Sequence, residues 1–152
     1  MIQRIQTVYM LLAIVLLVVC ACLPIGSYIP DGMGGTKSIY NLCVIDNATG
    51  NRDSMVVWLC ALLATPAVAQ VINIFKYNNR KAQMHNCMIS IFLLIAWYVL
   101  YAIQIFELCP EGYSYEIGYA AILPAISIIL LWMARRGVKH DEKLIRSVDR
   151  IR

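Results

Sequence analysis

Four stretches of this chain, 7–25, 55–75, 87–106 and 117–134, contain no Lys, Arg, Asp or Glu. Each is close to the roughly 20 residues that a helix needs to cross a hydrocarbon core of about 30 Å, a length that an isolated core helix of a soluble protein seldom reaches without a charge. The composition agrees, with 61% hydrophobic residues in 152 and a mean hydropathy of +0.67, too apolar for an ordinary soluble domain of this size. The expected fold class is an all-α membrane protein with four transmembrane helices. Short connections make consecutive helices neighbours, so an antiparallel up-down bundle is the economical arrangement. Residues 1–134 form the expected transmembrane domain, with connections 26–54 and 107–116 on one side and 76–86 on the other. Residues 135–152 form a separate basic tail.

The first span follows Arg4 and ends near the small residues of "CACLPIGS", which resembles a signal peptide. Its apolar run is longer than the 7 to 15 residues usual for a signal core, so it is read as a retained helix.

Charge sorts the connections. With the N-terminus in the cytoplasm, that side collects Arg4, Lys76, Arg80, Lys81, Arg135, Arg136, Lys139, Lys143, Arg146, Arg150 and Arg152, and the other side only Lys37 and Arg52. Cationic residues are retained on the cytoplasmic side during insertion, so both termini are expected there. Tyr28, Trp58, Tyr113, Tyr115 and Tyr119 then mark one interface, and Tyr9, Tyr77 and Trp132 the other. In the first outer connection, "KSIYNLCVID" has the β-branched and aromatic residues of a short strand or hairpin. Asp53 or Ser54 is the expected cap of the second helix.

No ionisable acid or base lies inside a span, which argues against a proton- or cation-coupled carrier; the small multidrug exporters, similar in size, hold an embedded Glu that this chain lacks. The uncharged polar residues are Gln70 and Asn73, three apart on one helix face, and Asn86 and Ser90, four apart at comparable depth across the cytoplasmic connection. They suit an interhelical hydrogen-bond cluster, or alternatively a small polar pocket. Pro66 and Pro124 lie inside the second and fourth spans and are expected to kink them. A third reading is a facilitator for a small neutral or lipidic ligand between such bent helices.

Six cysteines supply the enzymatic alternative. Cys43 and Cys109 fall in the two outer connections, where an oxidising compartment would let them form a disulfide. Four helices with outward cysteines resemble the membrane oxidase that regenerates the periplasmic disulfide-forming catalyst. That family uses a Cys-x-x-Cys pair, whereas the close pair here is Cys20-x-Cys22. His85 and His140 are isolated, and no metal motif, phosphate loop or Ser-His-acid grouping appears, so neither metal nor cofactor is expected.

Read as a helix from about Val138, the tail puts Leu144, Ile145, Val148 and Ile151 in one stripe, flanked by basic residues. Glu142 with Arg146 and Asp149 with Arg152 have helix-supporting spacings. The expected partners are the bilayer surface, a cytoplasmic protein, or a second copy of the chain. Nucleic acid is not expected, because no aromatic residues are interleaved to stack bases. The candidate docking residues are Asp141, Glu142, Leu144, Ile145, Arg146, Val148, Asp149 and Arg150, with Arg80, Lys81 and Gln83 in the cytoplasmic connection.

Three stretches, "MIQRIQTVYMLLA", "FKYNNRKAQ" and "RRGVKHDEKLIRSVDRIR", together resemble a family of small integral membrane proteins of Bacteroidota known as domain of unknown function 4293. The resemblance spans the whole chain. It implies a four-helix inner-membrane protein and carries over no catalytic residues. The matching features are Gln3, Arg4, Arg80, Gln83, Asp141, Glu142, Lys143, Arg146, Ser147, Asp149 and Arg150. The reading reached from sequence is a non-enzymatic scaffold or recruiting protein acting through its cytoplasmic face.

Overall fold

The computed structural model describes residues 3–32, 34–55, 57–75, 80–107 and 112–149, with side chains for all of these except 3–4, 53–55, 107 and 141–149. Its helices are α1 (Gln3–Cys22), α2 (Val57–Phe75), α3 (Arg80–Glu107) and α4 (Leu123–Asp149). Each contains a segment long and apolar enough to cross a membrane: Ile5–Cys22, Val57–Phe75, and Arg80–Phe106 in the first three, and Tyr119–His140 through α4 and the turn before it. α1 packs against α2 and α4, and α3 against the same two.

The distribution of polarity is that of a protein solvated by lipid. Phe75, Phe92 and Phe106 are 77%, 63% and 84% exposed, while Gln70, Asn73, Ser90 and Ser127 are fully buried. Water would penalise such apolar exposure, whereas hydrocarbon favours it and drives polar groups to find partners inside. The main hydrophobic core surrounds Trp97, Leu17, Leu59, Leu63, Leu94 and Leu131. A smaller cluster of Met10, Cys87, Ala134 and Val138 lies apart from it.

The expectation of an all-α protein is corrected by a five-stranded antiparallel sheet. Its strands are β1 (Gly26–Pro30), β2 (Lys37–Ile39), β3 (Cys43–Asp46), β4 (Arg52–Met55) and β5 (Tyr113–Ile117), in the order β4-β3-β2-β1-β5. The stretch expected to form one strand or hairpin supplies β2 and β3, and β5 comes from the connection before α4. Pairing needs a partner at the right register, and β1 finds one in β5 with Tyr28 opposite Tyr115. The backbone continues the junction where Gly118 N donates to Ile25 O at 2.9 Å. A Cβ at Gly118 would lie 2.8 Å from Pro24 O and Ile25 C, so only glycine fits there.

Two local expectations are also corrected. Asp53 and Ser54 belong to β4 and not to the cap of α2, which begins at Val57. Pro124 sits in the first turn of α4, after a 3-10 turn at Tyr119–Ile122, where its missing N–H removes no helix hydrogen bond. Pro66 does lie inside α2.

Candidate functional site

At one end of the helices, polar side chains from α2 and α3 form a closed network. Gln70 Nε2 donates to Ser90 Oγ at 2.7 Å, and Asn73 Nδ2 donates to Gln70 Oε1 at 3.2 Å. Asn73 Nδ2 also approaches Gln83 O at 3.3 Å, and Asn86 Nδ2 lies 3.5 Å from Asn73 Oδ1. Two sulfurs complete the shell: Cys87 Sγ is 3.5 Å from Asn73 Nδ2, and Met10 Sδ is 3.6 Å from Gln83 Nε2. The structure thus brings together Gln70, Asn73, Asn86 and Ser90. It adds Gln83, which sequence placed in the cytoplasmic connection, and Met10 of α1. Amide, hydroxyl and thiol satisfy one another, so the arrangement is chemically a fastener between α2, α3 and α1.

At the other end, α3 holds the sheet. Trp97 Nε1 donates to Asn41 Oδ1 at 3.0 Å, and Asn41 Nδ2 donates to Cys20 O at 2.8 Å. Asn41 therefore joins α3 to the last turns of α1, with both its side-chain polar atoms used and no exposure. Tyr101 OH donates to Ile25 O at 2.8 Å, which leaves its oxygen to accept from the Tyr115 hydroxyl at 2.5 Å. Trp97 and Tyr101 stack at 5.1 Å, and Tyr28 meets Tyr115 edge-on at 5.6 Å. Burial, and next the hydrogen bond with Tyr101, push the Tyr115 phenol above its usual range. Sequence reasoning missed Trp97, Tyr101 and Asn41, because an aromatic residue in an apolar span reads as ordinary core.

The family follows from the sequence of the whole chain. Residues 2–151 match the family model for domain of unknown function 4293 (DUF4293). The chain belongs to that family. No curated protein matches it.

No disulfide joins the cysteines among the described residues of this DUF4293 chain. Cys20, Cys22, Cys43, Cys60 and Cys87 are free thiols, with Cys20, Cys43 and Cys87 buried. Cys43 is a buried free thiol in β3, and Cys109, its possible disulfide partner, lies outside the described residues. Thiol exchange requires an accessible thiolate, which the buried Cys20 and Cys43 do not offer.

Among the basic residues, Arg80 is half-buried and Lys81 exposed in the first turn of α3. Asp141, Glu142, Leu144, Ile145, Arg146, Val148 and Asp149 belong to α4 by backbone, and their side chains are outside the described set, as is Arg150 altogether. Residues 138–149 continue the fourth helix without a break instead of forming a separate one. The contacts of α4 fix its direction: Ser127 Oγ lies 3.5 Å from Ala13 O, and Gly137 lies against Gln6, so α4 runs opposite to α1.

Proposed function

We propose that this DUF4293 chain is a non-enzymatic protein of the bacterial inner membrane, an antiparallel four-helix bundle with both termini in the cytoplasm, which recruits a protein partner through the end of α4. The observation that carries the reading is the continuity of α4 from Leu123 to Asp149. Its charge-free stretch ends at Ala134. A helix that lies on the bilayer surface has to turn away from the axis of the span it follows, and an unbroken helix instead prolongs that axis into water. The nine residues 141–149 add about 13 Å at 1.5 Å per residue. Because Gly137 is level with Gln6 and α1 begins at Gln3, this length extends past the described start of α1.

The stripe of Leu144, Val148 and Ile151 in the sequence gives such a projecting helix an apolar docking face with cationic flanks. The positive-inside distribution supports the orientation. The closed polar network and the buried thiols support a structural role for the membrane part. The test is in-cell photo-crosslinking from Leu144 and Val148, with Ser147 as comparison. A discrete protein adduct at the first two positions is expected, and adducts with lipid alone would overturn the reading.

A further inference from the structure

On the surface of α4, Trp132, Arg135, Arg136 and Lys139 line a cleft of about 160 Å³. Their spacing of three, four and seven residues puts them along one side of the helix. Among the described residues no acidic side chain lines the cleft. A water needs only about 10–15 Å³ of such space, so the cleft has room for a group the size of a phosphate. The Nε of Arg135 is buried and has no hydrogen-bond acceptor among the described residues, an arrangement that proteins seldom leave unsatisfied.

The position along the span supplies the source of the phosphate. The charge-free stretch ends at Ala134 and Arg135, Arg136 and Lys139 follow it, so the three cations lie at the edge of the hydrocarbon region, Lys139 outermost. Trp132, 55% exposed, sits two turns deeper, the depth at which indole rings anchor spans between chains and headgroups. Phosphate is the acceptor present in that layer, and a planar guanidinium binds it with two parallel hydrogen bonds.

We propose that Trp132, Arg135, Arg136 and Lys139 form a binding site for the headgroup phosphate of an anionic phospholipid in the leaflet where α4 leaves the membrane. The assignment depends neither on which leaflet that is nor on whether the tail docks a protein.

The test is native mass spectrometry of the full chain from micelles holding equal amounts of phosphatidylglycerol and phosphatidylcholine. Preferential retention of phosphatidylglycerol is expected. Arg136→Gln and Lys139→Gln change exposed side chains, so the fold should survive, and each should weaken that preference about fivefold. Arg135→Gln should weaken it further. Equal retention of the two lipids, or an undiminished preference in the double variant Arg136→Gln/Lys139→Gln, would overturn the proposal. In a parallel arm, inorganic phosphate at millimolar concentration should leave the lipid bound; its displacement of the lipid would assign the cleft to the free ion instead.

Discussion

The Nε1 of Trp97, in the middle of α3, donates to the Oδ1 of Asn41, 56 positions earlier in the chain, across 3.0 Å with both residues fully buried. Asn41 returns the connection to α1 through Cys20 O. Asn41→Ala should cost about 1–3 kcal/mol, since it strands a buried indole N–H and a helix carbonyl. In a double-mutant cycle, Asn41→Ala and Trp97→Phe should be less than additive when thermal unfolding is followed in detergent micelles. Strict additivity would mean that the two side chains do not share the bond.

Tyr115 makes stability depend on alkaline pH. Its folded-state value is raised above the ordinary value near 10, so the unfolded chain gives up the phenolic proton first as pH rises. The associated stability is fully present below about pH 10 and declines above it. Tyr115→Phe should flatten that decline in a series of unfolding curves between pH 8 and 11.5. A wild-type curve with no loss in this window would contradict the buried Tyr101–Tyr115 pair.

Gly118 sets how closely β5 approaches the end of α1. Gly118→Ala forces a Cβ against backbone atoms of Pro24 and Ile25, which have little room to yield. The expected loss is about 1–3 kcal/mol. Gly137→Ala meets only the flexible Gln6 side chain at 3.0 Å and should cost distinctly less. Melting temperatures of the two variants decide this, and the reverse order would contradict the packing described.

The network at the opposite end should respond according to the number of partners lost. Ser90→Ala removes one acceptor from Gln70 and should cost about 0.6 kcal/mol, the usual worth of a hydrogen bond between membrane helices. Asn73→Ala severs contacts to Gln70, Gln83, Asn86 and Cys87 together and should cost several times more. Equal losses in a thermal denaturation series would show that the network is not centred on Asn73.

The spans were legible because absence of charge over a sufficient length is a one-dimensional signal. Their ends were less so: α3 starts at Arg80 rather than near Cys87, since a helix can carry charged residues once it leaves the hydrocarbon. The sheet was largely hidden. Tyr113–Ile117 becomes a strand only because β1 presents a partner edge 87 positions away at Tyr28 and Tyr115, and nothing local announces such a pairing. Polar residues such as Gln70 and Asn73 could be singled out because each must find a partner in lipid. Met10 could not, since a methionine in an apolar helix carries no sign of the amides beside it.

The central claim is that α4 leaves the membrane as a continuous helix. The most direct measurement is a nitroxide scan of residues 138–149 in lipid nanodiscs, comparing relaxation by oxygen with that by a water-soluble nickel chelate. The account predicts that beyond His140 the chelate dominates at every position, Leu144 and Val148 included. Oxygen dominating at Leu144 and Val148, with the chelate dominating at Arg146 and Asp149, would place the helix flat on the bilayer and contradict the projecting docking surface.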